Sequence, residues 1–353
     1  MLGSADHNPG SEVAIVVVNW NRCALLRECL ESLDRQEGVD FEIVIVDNGS
    51  ADGSQEMVKR EFGTGRRFRL TLIENEQNRG FCEANNQGIQ ASNSRLVALL
   101  NNDAVAEPGW LAALRRCFDQ EPDIGMAASK ILVYEDPARI DKAGHLIYPD
   151  GQNRGRGSGE LDAGQYDQTE ETLWPDGCAA MYRRKMLNEI GGFDEDFFAY
   201  ADDAELGLRA RIAGWRCLYA PDAVVRHHRG ATLGVQSSRR LELIERNRIL
   251  LAAKLFPWSL LCLNGPYYTA RVVAGMVAAV RGKGEIGRFQ GIREKCRAAM
   301  AVLRGDLQAL RMLPRILRKR REINKFRRLS PGQVRCLILR NRVSLRTLSE
   351  GSV

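Results

Sequence analysis

The first apolar residues to gather are Val13 to Val18, a mostly β-branched run that stops at Asn19-Trp20-Asn21. Such a run, closed by polar residues, predicts a strand buried on both faces. Leu25, Leu26, Cys29, Leu30 and Leu33 then recur at helical spacing, so an amphipathic helix follows. The alternation repeats. Phe41–Asp47 reads as a second strand, Asn48-Gly49-Ser50 as a turn into a helix over Ser54–Phe62, Leu70–Glu74 as a strand, Gly80–Ala91 as a helix and Leu96–Leu100 as a strand. Strands alternating with helices predict an α/β fold with a mainly parallel, Rossmann-like sheet. Ligands bind such sheets beyond the carboxyl ends of the strands. That rule singles out Asn19, Asn21, Asp47, Asn48, Asn101, Asn102 and Asp103.

A helix and a strand are expected between Ala104 and Tyr134, a mobile Gly-, Asp- and Arg-rich loop over Tyr148–Gln168, and a second compact stretch over Trp174–His228. After Ser238 the pattern changes. Leu241–Leu255 is helical, Leu255–Val280 is apolar but interrupted by Pro257, Asn264, Pro266 and Arg271, and the chain to Arg346 is Arg-rich with amphipathic spacing. We therefore expect a disordered N-terminus over 1–11, a catalytic domain over 12–240 and a basic helical extension over 241–353. The uncharged run Leu255–Ala270 contains two prolines and falls short of the roughly 20 residues that span a bilayer. Trp258, Tyr267 and Tyr268 suit the headgroup boundary instead. The alternative is that these helices cap the catalytic domain or form a homodimer contact.

Charge sharpens the division. The chain carries a net +6, but residues 1–240 sum to −11 and residues 241–353 to +17, which implies two regions with different partners. Clustered Arg and Lys attract an anionic membrane surface or nucleic acid. Arg318-Lys319-Arg320-Arg321 is only a short run with no recognition motif beside it, so nucleic acid is not the expected partner. Nine cysteines without CxxC or His/Cys spacing fit reduced thiols. The polar stretch Met1–Glu12 lacks a signal-peptide pattern, which places the expected enzyme in the cytoplasm, on the inner face of the membrane.

Several side chains carry chemistry. Asp103 closes the Asn101-Asn102-Asp103 turn after a strand, where a carboxylate can hold a hard divalent cation against the phosphates of a nucleotide; the same pattern is also ordinary turn chemistry. Asp47 can accept hydrogen bonds from a base or ribose, or cap the next helix. Asp202, Asp203 and Glu205 crowd a helix start. Acids there suit the helix dipole, but three together exceed what capping needs. Repulsion and burial would raise one carboxyl's pKa toward that of a general base, a role assigned to Asp203. His227 and His228 end a strand, and either could join Asp103 at a metal. In Trp174-Pro175-Asp176-Gly177-Cys178, Gly177 would permit close backbone approach or simply make a turn.

Together these segments resemble family 2 glycosyltransferases of the GT-A fold. The resemblance rests on Val17-Val18-Asn19-Trp20-Asn21, Val46-Asp47-Asn48-Gly49-Ser50, Asn78-Arg79-Gly80-Phe81 with Asn85-Asn86-Gly88, Leu99 to Asp103, Gly191-Gly192-Phe193-Asp194-Glu195 with Phe197-Phe198, and the acidic stretch through Arg209. It spans roughly residues 12–250 and looks most like rhamnosyltransferase-like members that build cell-wall linkers and O-antigen. It implies an inverting enzyme. Val18, Asn19, Asn21, Asp47, Asn48, Asn78, Gly80, Asn86, Asn102 and Asp103 would bind the nucleotide sugar, with a divalent cation (Mg2+ or Mn2+) at Asp103 and His227 or His228. Trp174, Gly177 and Cys178 would line donor sugar and acceptor, and Asp203 or its neighbour Asp202 would be the base. The expected donor is dTDP-rhamnose, or alternatively UDP-hexose, UDP-galactofuranose or UDP-GlcNAc. The expected acceptor is a polyprenyl-diphosphate-linked saccharide. The chain departs from the family pattern where Asn replaces the first acid of the metal motif and Asp202 replaces the usual Glu. An inactive scaffold is the competing class; joint retention of Asp47, Asp103 and Asp203 argues against it.

Overall fold

The computed structural model describes residues 11–229, 237–284 and 291–350. Of the N-terminus expected to be disordered, 1–11, residues 1–10 lie outside the described residues. The first half follows the predicted alternation: β1 (Val13–Asn19), α1 (Cys23–Asp34), β2 (Phe41–Asp47), α2 (Ser54–Phe62), β3 (Arg69–Glu74), α3 (Phe81–Gln90) and β4 (Leu96–Leu100). The strands β3, β2, β1 and β4 lie side by side in that order, all parallel. Their side chains alternate between two cores. Val13, Ile15 and Val17 meet Leu26 and Leu30 of α1 on one face, while Val16 joins Trp174 and Tyr182 on the other. Burial on both faces is why these strands read as unbroken apolar runs.

The second half comprises β5 (Ala104–Ala106), α4 (Trp110–Arg116), β6 (Ile124–Val133), β7 (Ile140–Lys142), β8 (His145–Ile147), β9 (Asn153–Gly155), β10 (Glu170–Thr172), β11 (Ala179–Arg183), α5 (Arg184–Ile190), α6 (Asp202–Ile212) and β12 (Arg216–His227). The sheet extends through β11, β6, β12 and β10, with β11 antiparallel to both β4 and β6. Because β11 runs backwards, its first residue, Ala179, pairs with Leu100 at the carboxyl end of β4. The segment Asp176-Gly177-Cys178 is thereby delivered beside Asn101. The stretch expected to be a loop, Tyr148–Gln168, contains β9, which pairs with β8; a three-residue polar strand leaves no periodic signal in the sequence.

The last third is helical: α7 (Ser238–Leu255), α8 (Trp258–Leu261), α9 (Asn264–Val280), α10 (Gly291–Ile323), α11 (Pro331–Arg340) and α12 (Leu345–Glu350). No helix among the described residues is long and apolar enough to cross a membrane. Leu250, Phe256, Ala309, Ile316, Val334 and Ile338 belong to the same core as Trp174 and Tyr182. Charge crosses this junction too. Lys254 Nζ lies 2.6 Å from Glu205 Oε1 and also holds Asp194, while Lys319 reaches Asp194 and Asp196 and Arg315 reaches Asp196. Burial opposes ionisation of Asp194, but Lys254 and Lys319 outweigh it and hold its pKa at about 2. Several charges of the acidic and basic regions thus answer each other across this junction. Sequence reports the sign of a charge but not which opposite charge the fold sets against it.

Gly207 marks how tightly α6 packs on Trp174. A Cβ there would lie 2.2 Å from Trp174 Cβ, an atom too close to the backbone to swing aside. We expect Gly207→Ala to lose stability by about 1–3 kcal/mol through overpacking, despite alanine's better helix propensity. Denaturant unfolding would check this, and an unchanged midpoint would show that α6 can move off Trp174.

Candidate active site

The carboxyl ends of β1, β2 and β4 form a hydrogen-bonded row. Asn19 and Asp47 are register partners. Asn19 Nδ2 donates to Asp47 Oδ2 at 2.9 Å, and Asn102 Nδ2 donates to Asn19 Oδ1 at 2.7 Å. Asp47 Oδ1 accepts from the Ser50 amide and from Gln55 Nε2, both at 2.8 Å. Asn21 adopts φ 51° and accepts from the Ala51 amide through Oδ1. Asn48 accepts from Asn75 Nδ2 and donates to the Gly80 carbonyl, while Asn78 Oδ1 accepts from the Gly80 amide. Gly80 has φ 86°, and a Cβ there would sit 2.5 Å from the Phe198 ring, so only glycine fits. Val18, Asn48, Asn78, Gly80, Asn102 and Asp103 line one cavity of about 530 Å³, within the range of small-molecule sites.

Pairing of β12 with β5 sets His227 opposite Ala104, and so beside Asp103. His227 Nε2 is 3.5 Å from Asp103 Oδ1, and His227 Nδ1 is 2.7 Å from Asp141 Oδ2. Asp103 is 5% exposed, and its Oδ1 has no hydrogen-bond partner. An orphaned, buried carboxylate oxygen facing an imidazole nitrogen fits one edge of a divalent-cation site, with Asp141 orienting the imidazole from behind. Burial opposes the charge on Asp141, yet Lys142, His227 and Arg229 hold its pKa at about 2. His228 does not belong here. Its ring stacks on Tyr134 at 3.5 Å and its Nδ1 meets Glu135. Successive residues on a strand point to opposite faces, so only one of the pair can turn inward.

The acids at the start of α6 divide by role. Glu205 is fully buried and engaged by Arg209 and Lys254, a structural assignment. Asp202 and Asp203 both line the cavity. Burial and the neighbouring Asp203 carboxylate push Asp202 well above the usual carboxylate range. Burial also raises Asp203, an effect that His145 opposes and Asp176 reinforces. Asp203 Oδ1 accepts from the Ala204 amide at 2.7 Å and Oδ2 from the Gly177 amide at 3.3 Å.

The turn that aims these carboxylates is strained, since Phe198, Tyr200 and Ala201 all have positive φ. It is held from behind by α7. Asn247 Nδ2 donates to the carbonyls of Phe197, Ala199 and Tyr200, and Arg246 donates to those of Asp196 and Phe197.

Other expected site residues lie elsewhere or do other work. Asn86 bridges to the backbone of Phe193 in both directions, fixing the 191–195 turn, and is not a wall of the cavity. Trp174 is fully buried and stacks against the His145 ring at 5.9 Å; it supports the site from the core. Gly177 lines the cavity, but its Cβ position is only in ordinary contact with Phe81, so the protein itself does not demand glycine there. Cys178 lines the cavity as a buried thiol whose pKa burial raises. All nine cysteines are free thiols.

Sequence reasoning missed a charged group beside Asp203. Asp176 Oδ2 lies 2.6 Å from Lys142 Nζ and 2.8 Å from His145 Nε2, and His145 Nε2 is 3.5 Å from Asp203 Oδ2. His145, Asp176 and Asp203 bring possible ligand atoms within 4.8 Å of one another. The Lys142 ammonium already on Asp176 makes that triad a poorer cation site than Asp103 and His227. The signal for this group was a cluster of ionisable residues, Asp141, Lys142 and His145, inside a stretch without apolar periodicity.

Residues 14–191 match the family model described as Glycosyl transferase family 2. The chain belongs to that family. Its enzyme class is therefore glycosyltransferase. Among curated relatives it is 25% identical over 241 residues to the N-acetylglucosaminyl-diphospho-decaprenol L-rhamnosyltransferase of Mycobacterium tuberculosis, covering 62% of this chain and 77% of that one. It is 28% identical over 266 residues to the O-antigen biosynthesis protein RfbC of Myxococcus xanthus, covering 73% of this chain but only 20% of that one. Among solved structures, a mannosyltransferase of Pyrobaculum calidifontis in complex with GDP-mannose and Mn2+ superposes with a TM-score of 0.52 at 19% identity, covering 86% of this chain and 88% of that one. The family 2 glycosyltransferase described here thus has the GT-A arrangement, a mainly parallel nucleotide-binding sheet, followed by C-terminal helices.

The raised pKa of Asp202 has a thermodynamic sign. A carboxyl whose folded pKa lies above its unfolded value contributes stability that is present at low pH and lost as pH rises through the folded value. Asp202→Asn should therefore raise the melting temperature at pH 7, with the gain shrinking toward pH 4. Thermal melts across pH would test this, and a gain independent of pH would contradict it.

Proposed function

We propose that this glycosyltransferase is an inverting, metal-dependent enzyme that transfers L-rhamnose from dTDP-rhamnose to a lipid-linked saccharide at an anionic membrane surface. The observation that carries the chemical part is the convergence on one cavity of Asp203, the orphaned Asp103 Oδ1 and His227. Rhamnose as the sugar and a lipid-linked acceptor rest on the likeness to the mycobacterial rhamnosyltransferase. The other donors weighed, UDP-hexose, UDP-galactofuranose and UDP-GlcNAc, are outcomes of the assay below.

In this reading Asp47 and Asn19 orient the nucleoside, and Asp103 and His227 would hold the cation. When bound, the cation neutralises charge on the departing nucleoside diphosphate. Asp203 takes the acceptor's hydroxyl proton as the acceptor oxygen forms its bond to the anomeric carbon. The bond from that carbon to the diphosphate oxygen breaks on the opposite side, which inverts the centre. Asp203 suits the base better than Asp202. The like charge beside Asp202 favours its neutral form, whereas His145 and Lys142 favour ionised Asp203. The amide of Gly177 keeps the Asp203 carboxylate turned to the cavity.

Purified enzyme with dTDP-rhamnose, the UDP donors, Mn2+ and a polyprenyl-diphosphate-linked GlcNAc acceptor provides the test. Asp203→Asn should lower kcat by about 10²–10⁴-fold with unchanged nucleotide affinity, and His227→Ala should weaken Mn2+ activation. Full activity in Asp203→Asn, or its loss only in Asp202→Asn, would reassign the base.

Support for the membrane surface comes from α9 and α10. Val273, Met276, Val277 and Val280 are exposed along α9, and Met300, Leu303, Leu307, Leu310 and Leu317 along α10. Exposed Arg304, Arg311 and Arg318 follow at seven-residue spacing on α10, each next to one of these leucines. Apolar residues bordered by arginines form an interfacial pattern. The enzyme should co-sediment with phosphatidylglycerol vesicles, weaken with salt and ignore phosphatidylcholine alone. Leu303→Glu with Leu310→Glu should abolish sedimentation; retention by the double variant would remove these helices from the contact.

A further inference from the structure

The cavity that contains Asp203 does not stop at the catalytic carboxylates. It continues between the C-terminal helices, walled by Leu241 and Ile244 of α7, Gly275 of α9, Val302 of α10 and Leu348 of α12. Charged residues on this wall neutralise one another. Arg271 donates to Asp150 at 2.6 Å and grips both oxygens of Glu245 at 2.7 and 2.8 Å, and Arg248 donates to Glu245 at 2.9 Å. Asp150 is fully buried beneath them. The Arg248 and Arg271 charges on this wall are already paired and offer little to an ionic ligand, while Leu241, Ile244, Val302 and Leu348 make part of it aliphatic.

Gly275 adds an independent observation. Glycine within a helix costs about 1 kcal/mol relative to alanine and is usually explained by close packing. Here a Cβ on Gly275 would meet nothing within 4 Å, and the residue faces the cavity. Packing within the protein does not require the glycine, and the position leaves open space toward the cavity.

We infer that this slot receives the apolar chain of the acceptor, an isoprenoid-type lipid, so that the diphosphate leaves the slot toward the cavity and the saccharide hydroxyl reaches Asp203. This rests on the glycosyl-transfer reading for its purpose but not for its test. The slot opens among the same helices, α9 and α10, that carry the exposed apolar rows and the flanking arginines. A chain leaving a membrane along them would travel little through water, which accounts for apolar lining so near a site built for a nucleotide.

The experiment uses the full chain with farnesyl diphosphate as a binding probe, and Gly275→Leu and Gly275→Phe as plugs. Both replacements favour the helix, and melting temperatures confirm that each variant is folded. We expect farnesyl diphosphate to bind wild type and to bind each plugged variant at least tenfold more weakly. The ratio of kcat/KM for polyprenyl-diphosphate-linked GlcNAc over its methyl diphosphate analogue should fall by a similar factor. Farnesyl diphosphate affinity unchanged in both folded variants would overturn the slot. Gly275-dependent binding in an enzyme that turns over no donor would keep the slot and sink the transfer reading instead.

Discussion

Everything at the reacting end of this molecule depends on a turn that would not hold its shape alone. Three residues without glycine's freedom, Phe198, Tyr200 and Ala201, take positive φ just before Asp202 and Asp203. Each costs of order 1–3 kcal/mol in such a conformation. The amide of Asn247, completely buried, gathers three carbonyls of this turn, and Arg246 gathers two. The aim of Asp202 and Asp203 is therefore set by a helix far along the chain, through buried hydrogen bonds. Gly80 completes the clamp from the nucleotide side, because the Phe198 ring lies where its side chain would be.

The nucleotide-binding half was legible in the sequence because its physics is local. Parallel strands buried on both faces must be apolar throughout, so Val13–Val18 and Phe41–Val46 announce themselves, and the polar residues that end them fall at the ligand-binding edge. Asn19, Asp47 and Asp103 were singled out this way. His227 was singled out as one of two candidates, and seeing which of them faces Asp103 needed the register of β12 against β5. That Asn86 and Trp174 sit behind the cavity wall was not legible for a related reason: their neighbours in the fold, Phe193 and His145, are remote in sequence. The group of Lys142, His145 and Asp176 left only a weak trace, since short strands such as β7 and β8 carry no period.

The charge imbalance illustrates the same limit from another side. An acidic first part and a basic last part look like two surfaces awaiting separate partners. Lys254, Lys319 and Arg315 instead reach back to Asp194, Asp196 and Glu205, so part of the basic excess is internal. What remains exposed on α10 is an ordered pattern, with arginines at heptad spacing beside leucines, and that pattern rather than the total charge carries the argument for a lipid surface.

The shared core and the ion pairs across the junction also bear on how such enzymes could be recombined. A catalytic half moved onto a foreign tail would carry Asp150, Asp194 and Glu205 into a setting without Arg271, Lys319 and Lys254. Buried carboxylates without their cations are strongly unfavourable, and the turn before α6 would lose its anchor as well. The sheet half is therefore not a portable cassette in this architecture. It can be exchanged only together with the helices that pair its buried carboxylates and hold the turn before α6, so the two parts are expected to be inherited as one unit.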